Sequence, residues 1–347
     1  MTGSPIIQFP GGSGPVPSAA ALAASIGVAP DELALVADIG GTNVRFALVP
    51  LGGGAGYAGE RHWRVADYET FADAARAYLA EAAPGGSVRY GMIAVAGPAN
   101  KDQIKITNSA WDFSLDGTRR ALGFEALHAI NDFAANSWGV GDLAADRLLR
   151  IGGPERLPGG EGTFAVVGPG TGLGVGAILR GPEGMAVISS EGGHADFAPI
   201  NDEELAIFFW LKERHHRVSY ERLLCGPGLL NIYHAIGGDT AVDKPAQITG
   251  HEGDPLAERA MAIFCDVLGS FAGNSALTFG AWGGVYLAGG ILTHMKPELL
   301  RGGFRSRFDD KGRFGKELVK VPTMLVEEPA IGLIGAASAL RHRVGTA

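Results

Sequence analysis

Cysteine is scarce in this sequence. Only Cys225 and Cys265 occur among 347 residues, too few for a disulfide framework or a four-cysteine zinc site, and both fall in apolar helical patterns. A reducing cytoplasm is the expected setting. Blocks of one charge sign are missing as well. Twenty-nine Lys and Arg against 37 Asp and Glu give a formal charge of −8 with no basic run, so a surface that tracks nucleic-acid phosphates is not expected. No window reads as the roughly 18 apolar residues that span a bilayer, so no membrane partner is expected and the chain reads as soluble. The phosphate-loop pattern G-x-x-x-x-G-K-[ST] is also absent. A polyphosphate ligand would have to be held without its lysine.

Glycine, by contrast, is abundant. The 54 glycines are about 16% of the chain, more than twice the roughly 7% of an average protein. With 46% hydrophobic residues alongside them, the surplus does not signal a disordered chain. At roughly 100–200 residues per domain the length suggests two domains, with a cleft between them as the natural ligand site. Residues 1–32 carry the run Ala19 to Ala24 with no Lys or Arg before it, and they read as a flexible extension rather than a signal peptide.

Order is expected to begin at Leu33. Leu33 to Ala37 and Val44 to Val49 read as two strands joined through Asp38-Ile-Gly-Gly-Thr-Asn43, a hairpin that does not lead into a helix. An amphipathic helix is predicted over Thr70 to Ala83, a buried strand over Tyr90 to Ala96, and a strand over Leu127 to Ile130. A helix then starts near Asp132 and is expected to end at Gly139 and Gly141. The first pattern then recurs, with strands Thr163 to Val167 and Val175 to Leu179 around a glycine turn. Helices are predicted at Asp202 to Arg214, at Tyr220 to Ile236 with an interruption at Gly226-Pro-Gly228, and at Pro255 to Phe279. A strand at Val285 to Ala288 and a helix at Ile331 to Arg341 complete the reading. Phe208, Phe209 and Trp210 are expected in the core. Strands and helices alternate, so the class is α/β.

Five segments carry candidate chemistry. In the first turn, Gly40 and Gly41 bare backbone N–H groups for an anion, Thr42 and Asn43 add polar donors, and Asp38 ends a strand where it could hold a hydrated metal ion. An ordinary hairpin turn fits the same residues. The second turn, Gly168 to Gly176, places five glycines in nine residues, with Gly170, Thr171 and Gly172 at its tip. Its Gly172-Leu-Gly-Val-Gly-Ala177 matches a dinucleotide fingerprint, yet the run that follows is too short for the helix such a site must open. Asn131 and Asp132 stand at a strand-to-helix junction, where they can cap the helix and also place a carboxylate to accept a hydroxyl proton. Glu191 and His194 in Glu-Gly-Gly-His, with Glu221, can hydrogen-bond vicinal hydroxyls as a polyol site requires. A metal set of Glu191, His194 and Asp196 is the rival, with no second histidine cluster to back it.

Together these segments resemble the bacterial glucokinase family, sugar kinases of the actin-like ATPase fold. The resemblance runs from about Leu33 to Leu340. It rests on Asp38-Ile-Gly-Gly-Thr-Asn-Val-Arg45, Ile106-Thr-Asn108 with Trp111, Asn131-Asp-Phe133, Gly168 to Gly176, and Glu191-Gly-Gly-His194. Glu221-Arg-Leu-Leu-Cys-Gly-Pro-Gly228, Ala288-Gly-Gly-Ile291 and Ala330-Ile-Gly-Leu-Ile-Gly335 extend it. It implies a two-domain, ribonuclease H-like fold with duplicated βββαβα cores and an interdomain cleft. The domains implied are 33–140 with 329–347, and 141–328. It implies ATP with Mg²⁺, the two glycine turns on the phosphates, Asp38 associated with the metal, and Gly289 and Gly290 against adenosine. Asp132 becomes the general base, and Asn131, Glu191, His194 and Glu221 hold the sugar, with Asn108 within reach. A cytoplasmic homodimer acting on glucose is implied too. The structural cysteine cluster of the related repressor-and-kinase sugar family is missing here. A kinase of mannose or fructose, a nicotinamide oxidoreductase and a non-catalytic sugar sensor are the competing readings.

Overall fold

Every residue of β1 (Leu33–Ile39) except Asp38 is buried, because the strand is covered on both faces. Its alternate side chains feed two cores: Leu33, Leu35, Ala37 and Ile39 join one, Ala34 and Val36 the other. The computed structural model describes residues 33–345 apart from 53–55, 85–87, 107–108, 155–159 and 251–252. The N-terminal extension expected over residues 1–32 lies outside the described residues. The chain divides into two units, Met1–Leu143 with Pro329–Ala347, and Ala144–Glu328.

In the first unit, β1 is followed by β2 (Asn43–Pro50), β3 (Ala58–Arg64), α1 (Phe71–Ala82), β4 (Tyr90–Val95), β5 (Gln103–Lys105), β6 (Asp112–Ser114), α2 (Leu115–Leu122), β7 (Ala126–Asn131) and α3 (Asp132–Asp142). The main sheet has the order β3-β2-β1-β4-β7, antiparallel among β1, β2 and β3 and parallel from β1 through β4 to β7. Thr70 caps α1 by accepting from Asp73 N at 3.1 Å, and the helix buries Phe71, Ala74, Ala75, Tyr78 and Ala82 against one face of the sheet.

The second unit contains β8 (Leu148–Gly152), β9 (Gly162–Pro169), β10 (Leu173–Gly181), β11 (Gly184–Ser190), α4 (Asp202–Arg214), α5 (Gly226–Ala235), α6 (Pro245–Thr249), α7 (Pro255–Phe279), β12 (Gly284–Leu287), α8 (Lys296–Leu300), α9 (Gly303–Asp309), α10 (Gly315–Leu318) and β13 (Thr323–Val326). Its sheet runs β11-β10-β9-β12-β13-β8. An antiparallel meander followed by two parallel strands repeats the plan of the first unit, with β8 added antiparallel at the edge. This is the duplicated α/β architecture that the resemblance implies. The chain then returns to the first unit as α11 (Ile331–Gly345).

Several expectations need correction. Gly139 and Gly141 lie inside α3 and do not end it. The reason for Gly139 is packing: a Cβ there would sit 2.5 Å from Ile331 O, and one at Gly335 of α11 would collide with Ala135 O. The small residues let α3 and α11 cross closely over the second core. Gly226-Pro-Gly228 starts α5 rather than interrupting a longer helix, as suits proline in a first turn. Phe209 is 58% exposed, while Phe208 and Trp210 only lie against the core. Helix α7 is long and apolar enough by length and composition to cross a membrane, contrary to the sequence reading, yet most of it is buried within its own unit.

Candidate active site

The first unit gathers its candidate groups at the carboxyl ends of β1 and β7, parallel strands on either side of β4, the usual place for ligands in such sheets. Asp38 on β1 pairs in register with Ala94 on β4, and Ala94 with Ile130 on β7. Asn131 therefore lies one step beyond the level of Asp38, and Asp132 two. Asn131 caps α3, its Oδ1 accepting from Phe133 N at 2.9 Å and Ala134 N at 3.1 Å. Its Nδ2 donates to Gly97 O at 3.3 Å. Asp132 Oδ1 also accepts from Phe133 N, at 2.8 Å, which holds the carboxylate at the mouth of the helix. The capping half of the expectation for these two residues is thus present in the structure.

Burial pushes the Asp38 carboxyl up to about 6; Arg45 opposes that rise, Asp132 adds to it and His62 opposes it. Two carboxylates thus share one electrostatic environment. Arg45 faces Asp38 across the β1–β2 ladder and donates to Pro329 O at 2.5 Å. The turn after β1 is closed by Gly40 N donating to Asn43 O at 2.9 Å, and Val65 N donates to Thr42 O at 2.9 Å. Thr42 and Asn43 are exposed and Gly41 half-buried, so the turn offers its backbone to solvent. Asn108 lies outside the described residues.

The second unit builds a separate cluster. Gly170 N donates to Gly172 O at 2.8 Å, which folds the glycine turn between β9 and β10, and Gly226 N donates to Gly170 O at 2.9 Å. Leu173 N, where β10 begins, donates to Glu221 Oε2 at 2.9 Å. Glu221 Oε1 lies 3.7 Å from His194 Nδ1. Glu191 and His194 bound a short turn in which His194 N donates to Glu191 O at 3.0 Å, and both side chains are exposed. Thr171 is exposed at the tip of the glycine turn. Gly289 packs on the end of β9 so closely that a Cβ would collide with Pro169 O, whereas Gly290 faces open space. Asp196 pairs with Arg217 at 2.5 Å. Among the described residues no three His, Cys, Asp or Glu side chains form a metal cage.

The structure therefore joins Asp38, Asn131 and Asp132 in one unit, and His194, Glu221 and the Gly170–Gly172 turn in the other. Gly193 and Gly332 enter the sequence reading only as motif glycines, and Leu173 is not singled out there; the structure gives each a specific contact. Gly332 on α11 leaves room for Asp38, Gly193 packs on Leu173 O, and Leu173 supplies a backbone donor. Backbone donors carry no residue-type signal, so only coordinates could reveal the last.

A family model described as Glucokinase matches residues 35–343. The chain belongs to the glucokinase family. The glucokinase of Stenotrophomonas maltophilia (strain R551-3) is 42% identical over 309 residues, spanning 86% of this chain and 92% of that protein. The crystal structure of a glucokinase from an Antarctic psychrotroph superposes with a TM-score of 0.81 at 35% identity, covering 90% of this chain and 99% of the other. The glucokinase of Balamuthia mandrillaris, solved in complex with glucose, shares the fold at a TM-score of 0.75 and 21% identity, over 89% and 94% of the two chains. The glucokinase-family fold explains why β10 is a strand where a dinucleotide fingerprint would need a helix.

Proposed function

We propose that this chain transfers the γ-phosphoryl group of ATP to the 6-hydroxyl of glucose. One observation carries the reading: Asp132 is fixed at a strand-to-helix junction by the bond from Phe133 N, at the same sheet edge as the Asp38 carboxylate two strands away. As the oxygen of the sugar hydroxyl attacks phosphorus, its proton passes to the Asp132 carboxylate. The bond from phosphorus to the bridging oxygen of ADP breaks. The backbone amides of Gly41 and Gly172, with the Thr42, Asn43 and Thr171 side chains, stabilise charge on the phosphate oxygens, while Gly40 and Gly170 shape the two turns with their own amides. Glu191, His194, Glu221 and Asn131 orient the sugar, with Asn108 in reach by analogy. Gly290, which faces open space, leaves room for adenosine, with Gly289 packed against the end of β9 beside it.

Mg²⁺ is implied by the chemistry. A single carboxylate completed by water and substrate phosphates suits that ion better than a protein cage does, and Asp38 supplies such a carboxylate. When bound, Mg²⁺ neutralises charge on the β- and γ-phosphates. The enzyme is proposed to work in the cytoplasm as a homodimer, a state that light scattering on the purified protein would test.

The decisive experiment is a coupled assay of ADP release with glucose, mannose, fructose and glucosamine, each with Mg-ATP. Glucose is expected to give the highest kcat/KM. Faster turnover of another hexose would reassign the substrate, and no turnover of any of them would remove the kinase reading.

A further inference from the structure

Glu221 is the only side chain hydrogen-bonded to the backbone of Gly170 to Leu173 among the contacts described; Ser190 Oγ donates to Val175 O farther along β10. Its Oε2 accepts from Leu173 N at 2.9 Å, and a Cβ on Gly172 would lie 2.6 Å from the same oxygen. The turn's other foot is held from the same segment, since Gly226 N donates to Gly170 O at 2.9 Å. That segment is itself cross-tied: Cys225 Sγ donates to Glu221 O at 3.0 Å and accepts from Gly228 N at 3.3 Å. The Glu221 side chain is 30% exposed, with Oε2 committed to the turn and Oε1 on the His194 side.

We infer that Glu221 is a positioning residue for the phosphate turn as well as a sugar contact, each carboxylate oxygen having its own task. The inference rests on the reading above for the sugar and on the observed bond for the turn. A rigid, bidentate carboxylate cannot move one oxygen without the other. A hydroxyl that binds Oε1 therefore fixes Oε2 and, through Leu173 N, the amides of Gly170 to Gly172. Sugar occupancy is thereby transmitted to the nucleotide site by a path of one side chain, with no change of secondary structure.

The two tasks separate by substitution. Glu221→Ala removes both oxygens, and Glu221→Asp draws the carboxylate back by a methylene, out of reach of Leu173 N. Glu221→Gln keeps an oxygen that can accept from Leu173 N while losing the charge offered to the sugar. The probe is AMPPNP with Mg²⁺, titrated calorimetrically with no sugar present, alongside amide hydrogen exchange of the peptide containing Gly170 to Leu173. In the Ala and Asp variants AMPPNP affinity is expected to fall about tenfold, the effect of leaving one backbone donor unpaired, and the peptide is expected to exchange faster. The Gln variant is expected to match the unsubstituted protein in both readouts. If Glu221→Ala does not fold, Glu221→Asp carries the test.

Unchanged AMPPNP affinity and unchanged exchange in the Ala and Asp variants would overturn the inference. So would a loss in Gln equal to that in Ala. Glucose titrations of the Gln variant report separately on the sugar assignment. Undiminished glucose affinity there would remove Glu221 from the sugar site and leave the turn measurements to stand or fall on their own.

Discussion

A Cβ placed on Gly332 would lie 2.9 Å from Asp38 Oδ2 and 3.1 Å from Asp38 Cγ. Helix α11, which belongs to the far end of the chain, therefore closes on the carboxylate with only a hydrogen between them. An aspartate side chain is short and its neighbour Asn136 Oδ1 is 3.6 Å from the same point, so little room exists for retreat. Gly332→Ala is expected to rotate the carboxylate away and to lower kcat/KM by about 10- to 100-fold, the usual effect of misplacing a catalytic group by less than an ångström or so. The Mg²⁺ concentration for half-maximal rate should rise with it. An alanine variant with unaltered Mg²⁺ dependence would show that Gly332 serves only helix packing.

Asp38 should also cost the metal-free protein stability. Its carboxyl is pushed up to about 6 in the fold from an ordinary value near 3.8, so the folded state binds this proton more tightly than the unfolded chain does. The sign follows from that difference. The contribution favours folding most below about pH 4 and is lost as pH rises through 6. At pH 7 the ionised group costs on the order of 2–3 kcal/mol. Asp38→Asn should raise the melting temperature of the metal-free protein at pH 7.5 by several degrees, and the gap should about halve by pH 5. It should at the same time abolish most activity. A variant that melts at or below the unsubstituted protein at pH 7.5 would contradict this account of the burial.

Asp132→Asn separates structure from chemistry. The carboxamide keeps an oxygen that can accept from Phe133 N, as Asp132 Oδ1 does at 2.8 Å, so α3 should start as before. What is lost is the proposed proton acceptor. Turnover is expected to drop by roughly 10²–10⁴, with glucose affinity from calorimetry within a few-fold of the original. Turnover near the original level would assign proton removal to another group.

The sequence disclosed the parts whose signal is local. Asp202–Arg214 and Pro255–Phe279 match the expected helices end for end, because Asn201 and Asp254 cap them with side-chain acceptors. The two glycine turns were legible for the same reason: glycine beside a β run leaves few alternatives. Strands β3, β8 and β13 were not. β3 carries Glu60, Arg61, His62 and Arg64, and its strand character comes from pairing with β2 rather than from apolar alternation. The role of Gly139 was hidden because its reason is Ile331, nearly two hundred residues away in the chain. Of the site, residue types were readable, but the pairing of Glu221 with Leu173 N was not, since any residue could have supplied that amide.

Cys225 should be chemically quiet despite lying next to the phosphate-turn brace. Burial pushes its thiol up to about 11, so at pH 8 only about one molecule in a thousand carries the reactive thiolate. The sulfur is also engaged at the start of α5, accepting from Gly228 N and donating to Glu221 O. Native protein treated with iodoacetamide at pH 8 should therefore show little labelling of Cys225 by mass spectrometry, with full labelling after denaturation. Cys265, buried within α7 with its thiol pushed further up, should behave alike. Cys225→Ser replaces the sulfur by a stronger cap and should keep both melting temperature and AMPPNP affinity. Cys225→Ala removes the cap and should lower stability by about 1 kcal/mol. Because the capped segment carries Glu221 and Gly226, the alanine variant should also weaken AMPPNP binding measurably. Rapid stoichiometric alkylation of the native enzyme would mean that the 225–228 segment opens in solution, and the alanine variant would then be expected to bind AMPPNP normally.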